Sequence, residues 1–194
     1  MAVLRVTHFG EPVLKQKGEK VVAFDDAFKA LASDMLDTMR VEDGVGLAAQ
    51  QIGRPLALFV ADFLPDAEEE AQANALLNGK PVALKLTLPL VAANAKLELL
   101  DSDWMEYEEG CLSFPDIRGE VVRPERVRLT YQDLNGEKHI LETGGFLARI
   151  IQHEHDHTQG IVFTERMERD VLLPLENKLK KLKRASRDFL KSQK

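Results

Sequence analysis

Three of the chain's five histidines fall within IQHEHDHTQG, residues 151–160, at positions 153, 155 and 157. Imidazoles this dense suggest a metal site, and the backbone decides which of them can share an ion. On a strand side chains alternate, so all three would face one side. On a helix His153 and His157 stand one turn apart on one face, while His155 points nearly opposite. The flanking residues decide between the two. Phe146, Leu147, Ile150 and Ile151 recur at spacings of one, three and four after Gly144-Gly145, which is helical. Gly160 stands where a helix C-terminus takes a left-handed residue. The segment then reads H-E-x-x-H. His153 and His157 can hold one ion, and Glu154 is positioned to handle the protons of a water there. His155 is expected to pack or meet solvent.

A catalytic site of this kind needs a third protein ligand and one open position. The longer pattern H-E-x-x-H-x-x-G-x-x-H would supply a third histidine. Gly160 fits it, but Phe163 occupies the last position. A glutamate on a later helix is another solution, and Glu165, Glu168 and Glu176 are available. That keeps open an H-E-x-x-H metallopeptidase with a distant glutamate ligand. Cys111, the only cysteine, is the remaining candidate. A lone cysteine is ordinarily a small buried apolar residue. Its setting in EEGCLSFP, residues 108–115, argues otherwise: Gly110 lets the backbone approach closely and Pro115 restrains the exit.

The elements that must position these residues can be read around them. Residues 25–40 carry Phe28, Leu31, Met35, Leu36 and Met39 near helical spacing, with Asp25 or Asp26 as cap. PLALFVADF at 55–63 reads as a buried strand. Residues 65–80 turn acidic and alanine-rich and read as an exposed insertion with a short helix. Strand-like stretches follow at 88–93 and 97–100. Residues 126–142 alternate Val127, Leu129 and Tyr131 into an Asn135-Gly136 hairpin turn. Leu172, Leu175, Leu179, Leu182 and Phe189 form an apolar stripe between lysines, an amphipathic C-terminal helix docked on the body. The expected class is α+β: antiparallel sheets around a central H-E-x-x-H helix.

Composition sets the frame. At 194 residues, 44% hydrophobic and 30% charged, one globular domain is expected. No apolar run approaches the roughly 18–20 residues of a membrane span, and no signal peptide is read at the N-terminus. One cysteine excludes an intramolecular disulfide and fits a reducing cytoplasm. The net charge of −6 divides unevenly: residues 171–194 hold eight basic and two acidic side chains, which leaves −12 on the rest. An acidic body attracts neither nucleic acid nor an anionic membrane as a whole. The basic tail is read first as a packing helix with solvated lysines, and second as a surface that could meet the ribosome.

Three separated segments then match one family. GVGLAAQQ (44–51), EGCLS (109–113) and QHEHDH (152–157) resemble, in order and spacing, the three motifs of peptide deformylases, with weaker similarity running through Met167. The resemblance implies removal of the N-formyl group from the initiating methionine of nascent polypeptides. It implies Cys111, His153 and His157 as metal ligands and Glu154 as acid/base. Gln51 and the Leu112 N–H would be oxyanion donors, and backbone groups of Val45, Gly46 and Gly110 would line the substrate strand. The ion usual in the family is Fe2+, with Zn2+, Ni2+ or Co2+ able to substitute. Residues 1–170 would form the catalytic domain and 171–194 the basic helix packed on it. Gln50 stands where the family commonly has proline, Thr158 where it has leucine and His155 where it has an apolar residue. The stretch near 65–88 is longer than in compact members.

Overall fold

The structure is a computed structural model and describes residues 2–193. Lys194, the last of the tail's eight basic residues, lies outside them. Helix α1 (Asp26–Val41) starts where the Asp25 carboxylate accepts from the Phe28 N–H at 3.0 Å. Then come β1 (Gly46–Ala48), a 3-10 turn at Ala49–Ile52, β2 (Leu58–Ala61), α2 (Ala67–Ala73), β3 (Leu76–Leu77), β4 (Lys80–Pro81) and β5 (Leu90–Leu99). The second half holds β6 (Trp104–Gly110), β7 (Arg118–Pro124), β8 (Arg126–Gln132), β9 (Lys138–Gly144), α3 (Gly145–Thr158), α4 (Arg169–Leu172) and α5 (Glu176–Ser192).

The paired strands are all antiparallel and form two sheets. Seven strands run in the order β1-β2-β5-β8-β9-β3-β4, and β6 pairs only with β7. The class expected from sequence, α+β with segregated helices, is the one found. Strand β2 shows why its sequence is continuously apolar. Phe59 and Ala61 face the cluster built on Leu147, Ala148, Ile150 and Ile151 of α3. Leu58 and Val60 face the cluster built on Phe28, Ala32, Met35 and Met39 of α1. Both faces of the strand are covered, so no polar alternation survives.

Three sequence expectations are corrected in detail. The 65–80 segment does contain a short helix, but it is not simply exposed. Ala73 and Ala75 enter the α3-side core, and β3 extends the large sheet by pairing Leu76 with Glu142 and Leu77 with Leu141. Gly144-Gly145 permits this approach: a Cβ on Gly144 would stand 2.9 Å from the Gln72 carbonyl oxygen, and Gly145 has φ +62. Second, the two stretches at 88–93 and 97–100 are one strand, β5, irregular between Ala93 and Lys96, where Asn94 has φ 54. Third, residues 104–124 form a hairpin, β6–β7, separate from the large sheet and outside the strand-like stretches expected from sequence.

The C-terminal segment packs against the body. Leu172, Leu175, Leu179 and Leu182 pack against Phe114, Ile117, Val162 and Phe163. Ser186 Oγ donates to the Phe9 carbonyl at 2.8 Å, and the Arg5 guanidinium lies 4.3 Å from the Phe189 ring centroid. Among the described residues no helix is long and apolar enough to cross a membrane.

Candidate active site

Helix α3 is nearly wholly buried, so its polar residues must be held by partners. It ends at Thr158, and Gly160 follows with φ +74, the left-handed stop expected from sequence. His153 and His157 share one face, and their ring centroids are 5.0 Å apart. His155 lies off that face and is half-buried. Strand β6 delivers Glu109 and Gly110 to the helix, and Cys111 follows directly.

One potential ligand atom each from Cys111, His153 and His157 lies within 4.8 Å of the others. Cys111 Sγ is 3.3 Å from His157 Nε2. Sulfur and nitrogen ligands on one tetrahedral ion stand about 3.5 Å apart, given bonds of about 2.3 and 2.0 Å, so the pair has the spacing of a shared ion. The donor set, one sulfur and two imidazoles, fits a divalent transition metal. Glu165, Glu168 and Glu176 do not join this group. Glu165 pairs with Lys15 and accepts from the Val162 N–H, and the other two are exposed. A distant glutamate ligand therefore has no support.

Behind the donors lies a buried ionic network. Glu109 Oε2 accepts from His153 Nδ1 at 2.9 Å and from Arg123 at 3.0 Å. Glu109 Oε1 accepts from Arg123 at 2.7 Å and from Arg149 at 3.1 Å. Arg123 also reaches Asp156 at 2.7 Å, and Arg166 closes on the other Asp156 oxygen at 2.7 Å. Burial opposes the Glu109 charge, but the bonds from His153 and Arg123 hold its carboxyl well below the usual carboxylate range. Glu109, and not the neighbouring Asp156, is thus the acceptor for the His153 ring, and Asp156 is turned towards the arginines.

Glu154 sits at the cleft with an almost fully buried side chain, and its Oε2 has no hydrogen-bond partner among the described residues. Burial pushes its pKa up to about 7. Gly46 makes room for it: a Cβ there would stand 2.4 Å from Glu154 Oε1. Gln51, on the 3-10 turn, is oriented by its own backbone. Its Oε1 accepts from the Ala48 N–H at 2.7 Å, which turns its Nε2 towards Cys111 Sγ at 3.4 Å. Gln50 is buried facing away, with Nε2 3.5 Å from the Gln16 carbonyl. Of the two glutamines, only Gln51 faces the donors.

Val45, Gly46, Gly110 and Leu112 border a cleft of about 550 Å3 that also reaches Gln51, Cys111, His153 and Glu154. All nine sequence-named site residues thus belong to one locality, with His157 buried beneath Cys111. The cleft wall also includes residues to which sequence assigns no site role, Phe146 and Arg149 among them. Phe146 belongs to the helical stripe and stands 40% exposed at the cleft. Arg149 gave no local signal at all.

This geometry can be compared with known proteins. A family model described as Polypeptide deformylase matches residues 3–171. A peptide deformylase of Opitutus terrae is 43% identical over 185 residues, covering 95% of each chain. One of Methylacidiphilum infernorum is 38% identical over 182 residues, covering 94% of each. Among solved structures, a peptide deformylase from Thermotoga maritima matches with TM-score 0.73 and 33% identity, covering 87% of this chain and 99% of that one. Another, from Synechococcus elongatus in complex with actinonin, matches with TM-score 0.75 and 36% identity, covering 90% of this chain and 85% of that one. Sequence and fold agree over nearly the whole length, and the chain belongs to the peptide deformylase family.

Proposed function

We propose that this chain removes the formyl group from the N-terminal methionine of nascent polypeptides, with Cys111, His153 and His157 holding the divalent metal ion on which the family depends. The observation that carries the reading is the convergence of three soft and borderline donors, a buried carboxyl whose Oε2 has no hydrogen-bond partner among the described residues, and an amide N–H at the end of one cleft. A divalent ion held by these three donors would supply Lewis acidity, of the kind that lowers the pKa of a water towards about 7.

Glu154 takes one proton from that water as it adds to the formyl carbon. A carboxyl poised near neutrality suits both halves of the reaction. Charge then grows on the former carbonyl oxygen, and the Gln51 amide and the Leu112 N–H donate to it. Each such donor is typically worth about 2.7–4 kcal/mol. Glu154 returns its proton to the leaving nitrogen, the C–N bond breaks, and formate and the free amine separate. The backbones of Val45, Gly46 and Gly110 would align the peptide beside the cleft.

We take Fe2+ as the native ion. A thiolate with two imidazoles suits Fe2+ and Zn2+, and the family resemblance favours iron over Zn2+, Ni2+ or Co2+. Residues 1–170 act as the catalytic body, 171–194 as a basic tail whose helix α5 packs on it, and the compartment is the cytoplasm. A second role for that helix follows from its charge: Lys180, Lys181, Arg184, Arg187 and Lys191 are all exposed, a surface suited to anionic ribosomal RNA. Removing residues 176–194 should then weaken ribosome co-sedimentation in a salt-dependent way. The central test is metal analysis of anaerobically purified protein with a formyl-Met-peptide assay. Cys111→Ala should lose both metal and activity; retention of metal would overturn the ligand set.

A further inference from the structure

Arg149 lies on α3 one turn before His153, on the same helix face. Its side chain is only 8% exposed, yet it borders the cleft. The guanidinium donates to three acceptors: Glu109 Oε1 at 3.1 Å, the Val121 carbonyl at 2.9 Å and the Met105 carbonyl at 2.6 Å. It also lies 5.0 Å from the Tyr107 ring centroid, within cation–π reach. Every one of these partners belongs to β6 or β7.

Neutralising Glu109 does not require it. Arg123 already makes two bonds to that carboxylate, at 2.7 and 3.0 Å. What Arg149 adds is a tie between the helix carrying both histidines and the strand leading into Cys111. Strand β6 pairs only with β7, and its residues Trp104–Glu108 are exposed, so the large sheet does not hold it. Apart from the packing of Val121 of β7 against Phe114 and Phe163, polar ties to α3 set its distance, and Arg149 reaches it at two points, the Met105 carbonyl and the Glu109 carboxylate.

We propose that Arg149 is a positioning residue for the metal cage, setting the separation of Cys111 from His153 through Glu109 and the β6 backbone. The inference rests on the reading of Cys111, His153 and His157 as ligands. The chemistry favours arginine over lysine here: a planar fork can serve three acceptors at once, and an ammonium on a flexible stem cannot hold the same three in place.

The test uses zinc- and cobalt-loaded full-length protein. Arg149→Met should release Zn2+ into a colorimetric chelator about 10-fold faster than wild type, the low end of the loss seen when a ligand's direct partner is removed, because Arg149 acts one contact further out through Glu109. The thiolate-to-Co2+ charge-transfer band should shift in the same variant. Arg149→Lys should fall between the two, and it decides the matter alone if Arg149→Met does not fold. A variant that melts earlier but keeps the wild-type release rate and cobalt band would overturn the proposal and leave Arg149 as packing. Wild type that binds no metal would instead remove the ligand reading, and this inference with it.

Discussion

His153 Nδ1 lies 2.9 Å from Glu109 Oε2, and this contact sets the ring's tautomer. Glu109 is held ionised by its neighbours, so it can only accept. Nδ1 must therefore carry the proton, and Nε2 is left with its lone pair for an ion. Glu109→Gln keeps the shape and removes the charge. Metal affinity should fall about 10–100-fold in a chelator competition titration. Arg123 and Arg149 would also face a neutral amide in a buried site. Denaturant unfolding should register that as a loss of about 3–5 kcal/mol. An unchanged titration would mean that the contact does not bear on the metal.

Gly46 tests the space around Glu154. Its backbone lies outside the left-handed region, so alanine is allowed there conformationally. A Cβ would nevertheless meet Glu154 Oε1 at 2.4 Å and Cδ at 2.8 Å. In Gly46→Ala the carboxyl must move, and a displacement of about 1 Å can cost 10²-fold in rate. We expect kcat to drop by about that factor with metal content unchanged, since neither histidine is touched. Wild-type kcat in a folded, metal-replete variant would falsify this account of the glycine.

Gln51 has two separable jobs. Its Oε1 satisfies the buried Ala48 N–H, and its Nε2 faces the donors. Gln51→Ala should cost about 10²–10³ in kcat through the lost donor. It should also cost about 1–3 kcal/mol of stability through the orphaned Ala48 N–H. Gln51→Glu restores an acceptor for Ala48 and removes the donor. Its kcat should stay low, while its stability regains the Ala48 contact and loses what the buried carboxylate costs to desolvate, which steady-state kinetics and thermal melts can compare directly.

The parts legible in the sequence were those with a local signature. His153 and His157 announced themselves through helical period, and Gly160 through its place after the last turn. Cys111 needed the glycine and proline around it, and the family motifs supplied Gln51 and Leu112. The β6 strand is weakly signalled, because its alternation, Met105-Glu106-Tyr107-Glu108, spans only four residues and lies in an acidic, exposed stretch. Arg149 sits within an apolar helical run, and its partners Glu109, Val121 and Met105 lie 40, 28 and 44 residues away. The acidic composition of 65–80 hid two alanines that reach the core, since small residues weigh little in a hydropathy pattern. Long-range pairing of this kind has no period to read.

Asp156 ties the α3 end of the network to solvent pH. Burial alone would raise its pKa, but the bond from Arg166 and the charge of Arg123 outweigh that and hold it below the usual value. A depressed folded-state pKa means that the ionised group stabilises the fold above its unfolded pKa, about 4. That contribution is lost as pH falls through the lower folded value. Asp156→Asn should therefore be less stable than wild type at pH 7. The gap is about 3–5 kcal/mol for a partner removed from a buried pair, and the 45% exposure of Arg166 pulls it towards the lower figure. Below about pH 4 the gap should narrow as wild type takes up the proton. Urea unfolding of both proteins at pH 7 and pH 3 measures it directly. A gap that widens in acid would mean that Asp156 is not ionised in the native network.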